Sequence, residues 1–148
     1  MPRNRYVQQR FRNPDLTHRV FYDVTGQQER ETLMPFLTLD DDCRIFYRTE
    51  GPSDAPAIIF SNSLGCDHLM WQAQADALKH RFRVIRYDQR GHGASDAPKG
   101  LYPLERLGQD VVGLADHLAV DRFHFCGLSM GGLTGQWLGI HQGDRLIT

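Results

Sequence analysis

A serine, Ser129, lies at the centre of the run G-L-S-M-G at positions 127–131. A serine hydroxyl is a weak nucleophile, and it becomes reactive when a sharp turn exposes it and a base takes its proton. The pattern G-x-S-x-G is typical of such a turn between a strand and a helix, called a nucleophile elbow. Gly127 and Gly131 fit this turn because side chains there would clash. The run therefore predicts that Ser129 attacks an acyl carbon.

The residue after the serine has a predicted role of its own. Met130 is expected to begin a helix, where a backbone N–H has no partner within the helix and the positive end of the helix dipole lies. Both features stabilise the negative oxygen that develops during acyl transfer. The Met130 N–H is thus the first expected donor of an oxyanion hole.

The segments on either side of the serine agree with this turn. A short apolar and aromatic run at 123–126 precedes it and is typical of a strand. Leu133, Trp137 and Ile140 follow at the spacing i, i+4 and i+7, which indicates a helix packed on a sheet. The serine is therefore expected where a strand ends and a helix begins.

The chain from residue 34 onward alternates between predicted strands and helices. Strands are predicted over 43–48, 57–60, 83–87 and 122–126, helices over 69–78, 104–118 and after the serine, and the start of a further strand over 145–148. This alternation favours an α/β fold: a mostly parallel sheet with helices on both faces and an active site at the carboxyl ends of the strands.

The first 33 residues differ from the rest of the chain. They are rich in Arg, Gln and Asn and show no sustained period, which predicts a poorly ordered N-terminal extension over 1–33. The well-patterned domain is predicted to occupy 34–148. The abrupt gain in patterning marks Met34 as the expected natural start.

Composition argues against several classes of protein. The 148 residues are 41% hydrophobic and 24% charged with a formal net charge of −1, so neither nucleic acid nor a membrane surface is an expected partner. No apolar stretch approaches the roughly 20 residues of a membrane span, and the N-terminus lacks a signal-peptide core, which predicts a cytoplasmic protein. The three cysteines lack C-x-x-C spacing and indicate neither a disulfide framework nor a zinc site. The oligomeric state stays open.

Three motifs occur in the order and spacing of the α/β-hydrolase family, which the chain resembles from about residue 37 onward. They are S-N-S-L-G at 61–65, D-Q-R-G-H-G-A-S at 88–95 and C-G-L-S-M-G-G at 126–132. Within that family, the motifs are most similar to those of the 3-oxoadipate enol-lactonases. The resemblance implies hydrolysis of a small-molecule lactone or ester, namely an enol-lactone to 3-oxoadipate in the β-ketoadipate pathway of bacterial aromatic catabolism. It implies an acyl-enzyme on Ser129 and no cofactor or metal.

The resemblance also implies a second oxyanion donor in the loop after the strand at 57–60. Counted back from Trp71, the family's backbone N–H falls on Leu64, and a backbone donor tolerates any side chain. Ser63, beside it, has two interpretations of equal weight. Its hydroxyl either donates to the substrate or satisfies backbone groups in a tight turn.

None of the histidines is expected to be the general base. His92 lies in the glycine-rich loop, where the family uses this position to organise the backbone, and His124 is interpreted as a core residue. His68 is interpreted as a surface or loop residue. Asp88 resembles the family's structural aspartate and is not expected to be the triad acid.

In the family, the triad acid and base follow the nucleophile along the chain. The resemblance therefore places both beyond Thr148, and we expect the chain to be the N-terminal portion of a longer hydrolase. Two alternatives remain open: another esterase or lactonase of the same fold, and a catalytically inactive fragment or binding module. Comparing turnover of the enol-lactone and of aryl esters, with Ser129→Ala as reference, distinguishes the three.

Overall fold

The computed structural model describes residues 35–148. The extension predicted over 1–33 and the start predicted at Met34 lie outside the described residues. In chain order the elements are β1 (Phe36–Thr38), β2 (Arg44–Glu50), β3 (Ala57–Ser61), a 3-10 turn (His68–Trp71), α1 (Gln72–Leu78), β4 (Arg83–Tyr87), α2 (Leu104–His117), β5 (Phe123–Gly127), α3 (Met130–His141) and a second 3-10 turn (Gly143–Arg145).

The five strands form one mixed sheet with the order β1-β2-β4-β3-β5. β3 pairs in parallel with β4 and β5, whereas β2 pairs in antiparallel orientation with β1 and β4. The continuous apolar run A-I-I-F explains the place of β3 between two parallel neighbours, because such a strand is covered on both faces. The predicted α/β class is confirmed, and the parallel half of the sheet carries the serine.

Two apolar clusters cover the two faces of the sheet. On one face Ile59 of β3 packs in a cluster with Leu114 of α2. On the other face its neighbour Phe60 packs in a cluster with Trp71 and Ala75. Since successive side chains of a strand point to opposite faces, helices lie on both sides of the sheet, as predicted. Within residues 35–148 no helix combines the length and apolar character that crossing a membrane requires.

The apolar stripe predicted for α3 is wrong, because Leu133 and Ile140 are 46% and 77% exposed and Gly131, Thr134 and Leu138 are buried instead. The bounds of the elements differ from the sequence prediction in three further places. The helix predicted over 69–78 is divided into a 3-10 turn and the shorter α1. The sequence did not indicate β1, because three residues are too few to show a period of two. The strand predicted over 145–148 is a single parallel bridge between Leu146 and Phe123, extended by backbone hydrogen bonds at Ile147 and Thr148.

Candidate active site

Ser129 lies in the turn between β5 and α3, where the sequence pattern predicts it. Its backbone has φ +54° and ψ −113°, a combination that residues with a side chain rarely adopt. The residue is exposed, and its hydroxyl makes no hydrogen bond within residues 35–148. The strained turn therefore presents the hydroxyl to solvent at the carboxyl end of β5.

Two glycines allow the elbow to approach β3 closely. A Cβ on Gly131 would overlap the Ser61 carbonyl group, at 2.8 Å from its carbon, and would lie 2.9 Å from the Ser61 Oγ. A Cβ on Gly127 would overlap the Gly131 carbonyl, so both positions exclude a side chain. The Leu128 N–H donates to the Ser61 carbonyl oxygen at 3.3 Å and holds the elbow against the end of β3.

The loop after β3 lies beside the elbow. Because β3 and β5 are parallel neighbours and Ser61 pairs with Gly127, the segments that follow these strands leave the sheet side by side. The loop after β3 carries Ser63 and Leu64, the two positions that the resemblance singled out. The fold therefore brings this loop and the serine to one edge of the sheet.

The backbone amides of this loop differ in their partners. The N–H groups of Ser63, Gly65 and Cys66 donate to the Met70 sulfur at 3.3 Å, to His92 Nε2 at 3.0 Å and to the Ser63 carbonyl at 3.1 Å. The Leu64 N–H, between them, has no partner among the described residues, and the Leu64 side chain is 71% exposed. Of the four amides over 63–66, the predicted donor is thus the one left unpaired.

The Met130 N–H is unpaired for a different reason. Met130 is the first residue of α3, so its N–H has no acceptor one turn earlier in the helix. The next amide, that of Gly131, donates to the Leu128 carbonyl at 3.0 Å. The two predicted oxyanion donors are therefore free amides on two adjacent segments.

Ser63 is half-buried, and both its backbone N–H and its carbonyl form hydrogen bonds. Its carbonyl accepts from the Cys66 N–H and from the side chain of Asn62. Its hydroxyl makes no hydrogen bond within the described part of the chain. A tight-turn role for this hydroxyl is thus not observed, and the hydroxyl is free to donate to a ligand.

His92 has a contact that the sequence did not specify. Its Nε2 accepts the Gly65 N–H, so this nitrogen carries no proton, and its Nδ1 faces the Arg90 carbonyl at 3.2 Å. The neutral ring with the proton on Nδ1 satisfies both contacts. His92 therefore orders the backbone of the loop that carries Leu64.

The interpretation of His68 as a surface or loop residue is wrong with respect to its exposure. The residue is 9% exposed, and both its backbone N–H and its Nδ1 lie within 2.8 Å of Asp88 Oδ1. The other Asp88 oxygen accepts the Ala94 N–H at 2.8 Å. Both Asp88 carboxylate oxygens are thus occupied by hydrogen bonds that hold loops in place. The contact with His68 was missed because His68 lies 20 residues earlier in the chain.

The other histidines do not approach the serine as a base would. Within residues 35–148 no histidine hydrogen-bonds to Ser129, and His124 is half-buried with its Nδ1 2.8 Å from the Thr148 hydroxyl. In the same range no group of three or more His, Cys, Asp or Glu side chains is arranged to hold a metal ion.

Two titratable groups near the elbow stay neutral. Burial raises the pKa of the Cys126 thiol in β5 and the pKa of the Tyr87 hydroxyl at the end of β4. The Tyr87 hydroxyl hydrogen-bonds to the Ser61 Oγ at 2.9 Å. Neither group therefore adds a negative charge that would oppose an oxyanion beside Ser129.

Comparison with known proteins agrees with this geometry. Residues 56–146 match the family model described as the alpha/beta hydrolase fold. The chain is 57% identical over 98 residues to 3-oxoadipate enol-lactonase 1 of Acinetobacter baylyi, an alignment that covers 66% of this chain and 36% of that protein. The chain therefore spans little more than a third of the length of this relative.

Solved structures of two hydrolases are also similar to this chain. The chain is similar to the enol-lactonase from Burkholderia xenovorans, with a TM-score of 0.73 and 50% identity over 76% of this chain and 44% of that one. It is also similar to a hydrolase from Pseudomonas aeruginosa, with a TM-score of 0.74 and 50% identity over 76% of this chain and 42% of that one.

Proposed function

The chain belongs to the α/β-hydrolase family, and we propose that it supplies the nucleophile and both oxyanion donors of a serine-dependent lactone hydrolase. The observation that carries the proposal is the strained backbone of Ser129, with φ +54°, in the turn directly before the unpaired Met130 amide. The loop with the unpaired Leu64 amide leaves the neighbouring strand at the same edge of the sheet, which supports the second donor. The likeness to enol-lactonases, at 57% identity in one case, supports 3-oxoadipate enol-lactone as the substrate.

The proposed reaction proceeds in two steps. The Ser129 Oγ attacks the lactone carbonyl carbon, and the negative charge that develops on the carbonyl oxygen is stabilised by the N–H groups of Leu64 and Met130. The Ser129 proton passes to the proposed general base. The ring C–O bond then breaks, and the base gives this proton to the ring oxygen, which leaves as an enol and tautomerises to the 3-oxo group, while an acyl-enzyme remains. Water attacks this ester, and 3-oxoadipate is released.

The triad acid and base form a separate part of the proposal. We infer that both follow Thr148 in a longer protein, as the chain order of the family implies. This inference is supported by the Ser129 hydroxyl, which makes no hydrogen bond to a base within residues 35–148. The proposal also places the reaction in the cytoplasm and assigns no cofactor to it.

The test uses the protein purified from its own cells, and its intact mass is compared with the 17.0 kDa of this chain. We expect a larger mass and turnover of the enol-lactone, with a kcat at least about 10⁴-fold lower in Ser129→Ala because the nucleophile is lost. Ser53→Ala, in an exposed turn, is the matched control and should leave kcat unchanged. Equal turnover in the protein and in Ser129→Ala would refute the assignment of the nucleophile.

The substrate is tested in the same preparation. We expect kcat/KM for 3-oxoadipate enol-lactone to exceed that for simple aryl esters, as the likeness to 3-oxoadipate enol-lactonases implies. Equal or faster turnover of aryl esters would favour another esterase of the same fold.

A further inference from the structure

One buried side chain joins the segments that follow β3 and β4. Asn62 is the first residue after β3 and is 0% exposed. Its Oδ1 accepts the backbone N–H of Gln89 at 3.2 Å, and its carbonyl oxygen accepts the side-chain amide of Gln89 at 2.5 Å. These two bonds, both donated by Gln89, anchor Asn62 to the segment that follows the neighbouring strand.

The contacts with Gln89 determine which way the Asn62 amide points. A backbone N–H can only donate, so the Asn62 atom that it meets is the oxygen, and Nδ2 lies on the other side. Nδ2 donates to the Cys66 carbonyl at 2.5 Å and to the Ser63 carbonyl at 3.1 Å. Both carbonyls belong to the loop that contains Leu64.

These two bonds hold both ends of a tight turn. The turn is closed by the Cys66 N–H, which donates to the Ser63 carbonyl, and it contains Gly65 with φ +76°. With both ends bound to one rigid amide, the peptide groups between them cannot rotate independently. The side chain of Asn62 therefore restrains the orientation of the Leu64 N–H, together with His92, which accepts the Gly65 N–H.

We propose that Asn62 is a positioning residue of the oxyanion hole, which aims the Leu64 N–H at the substrate oxygen through the backbone of the loop over 63–66. The inference rests on the proposed function, since it assigns the Leu64 N–H to an oxyanion. Asn62 acts through the loop, and no direct contact with the substrate is required.

Asn62→Asp is the main test because the two side chains have nearly the same shape. The carboxylate still accepts the Gln89 N–H, but it replaces both N–H donors with an oxygen that faces two carbonyl oxygens. We expect kcat for the enol-lactone to fall about 10²-fold, the usual effect of losing one oxyanion donor. KM should change by less than about 3-fold, because the donor acts mainly in the transition state. Gln74→Glu, a similar change on the exposed face of α1, is the control and should leave kcat unchanged.

The pH dependence separates positioning from a general loss of structure. Burial raises the pKa of an introduced carboxyl, and protonation at lower pH restores one O–H donor toward the loop. The ratio of kcat in Asn62→Asp to kcat in the unmodified protein should therefore rise as the pH is lowered. In Asn62→Ala, which has no group to protonate, the same ratio should stay flat. A flat ratio in both variants would contradict the proposed role of Nδ2.

Hydrogen exchange of the peptide that covers 62–67, measured by mass spectrometry on the same proteins, provides the second readout. We expect faster exchange at Gly65 and Cys66 in Asn62→Asp and Asn62→Ala, and no change in Gln74→Glu. If Asn62→Asp does not fold, Asn62→Ala supplies both the exchange and the kcat comparison. Unchanged exchange overturns the inference whatever the turnover, and faster exchange with unchanged kcat overturns the link to the oxyanion.

Failure of the proposed function gives a different result. If the unmodified protein shows no Ser129-dependent turnover, the hydrolase proposal fails on that measurement alone. The exchange experiment still decides whether Asn62 holds the loop, because it requires no substrate.

Discussion

Gly131→Ala is the sharpest test of the proposed elbow geometry. The added methyl group would overlap the Ser61 carbonyl, at 2.8 Å from its carbon, and the Ser61 Oγ would lie at 2.9 Å. Ordinary carbon contacts are about 3.5 Å or longer, so α3 and the end of β3 must separate by roughly 1 Å. Because the main obstacle is backbone, no side-chain rotation relieves it, and we expect a loss of about 3 kcal/mol in the free energy of unfolding.

Gly132→Ala, one residue later in the same helix, is the matched comparison. Its Cβ would meet only the Gly127 carbonyl oxygen at 3.5 Å, which is an ordinary contact. Alanine is about 0.5–1 kcal/mol more favourable than glycine within a helix, so this variant should be slightly more stable than the unmodified protein. Both substitutions replace glycine with alanine, yet the structure predicts changes of opposite sign in the free energy of unfolding.

Urea denaturation measures this difference directly. With a slope of about 2 kcal/mol/M, a difference of about 4 kcal/mol between the variants corresponds to midpoints about 2 M apart. Gly131→Ala should also lose Ser129-dependent turnover, because the elbow moves away from the loop that carries Leu64. If both variants shift the urea midpoint in the same direction and by similar amounts, helix propensity alone explains the shifts. That result would refute the close contact between Gly131 and the end of β3.

Two further predictions concern ion pairs. Asp110→Asn should lower the free energy of unfolding in urea by about 2 kcal/mol, because the carboxylate binds the buried Arg90 guanidinium through both oxygens, at 2.6 and 2.7 Å. The substitution leaves the partly exposed Asp41 as the remaining carboxylate on Arg90, and a loss below about 1 kcal/mol would contradict this reasoning. Asp96→Asn should lower the melting temperature at neutral pH but much less in acid. Hydrogen bonds from Arg44 hold the pKa of the Asp96 carboxyl below its usual range. The stabilisation that this ionised carboxylate gives the folded protein is therefore present above the unfolded pKa of about 3.9 and is lost as the pH falls through the folded value. A difference in melting temperature between the variant and the unmodified protein that does not change with pH would refute this assignment.

The sequence was sufficient for features whose cause is local. The elbow is specified by adjacent residues, since Gly127 and Gly131 permit the close approach and the strained φ of Ser129 follows from the turn between them. The β3 run was recognisable because burial on both faces leaves no polar position. Strand β1 was not recognisable, because its pairing with β2, and not a pattern within its three residues, makes it a strand.

The hydrogen bonds that hold the loops around Ser129 could not be predicted, because they join residues that are distant in sequence. His68 lies shortly after Gly65, where a loop was expected, and it is buried beside Asp88, 20 residues later. Asn62 was noticed only as part of a motif, since its role depends on Gln89, 27 residues away. No short-range periodicity contains such information, although polar residues within two positions of the ends of adjacent parallel strands are a weak signal that they meet.

The arrangement also predicts which side chains around the proposed oxyanion hole can be exchanged without loss of activity. The proposed oxyanion donor at Leu64 is a backbone N–H, so the exposed Leu64 side chain should not affect it. The proposed donor requires a loop in which the neighbouring backbone N–H groups are already hydrogen-bonded and the Leu64 N–H is not. That condition depends on His92, which takes the Gly65 N–H, and on Asn62, which holds the turn. Substitutions at these two supporting residues should therefore impair catalysis more than substitutions at Leu64 itself.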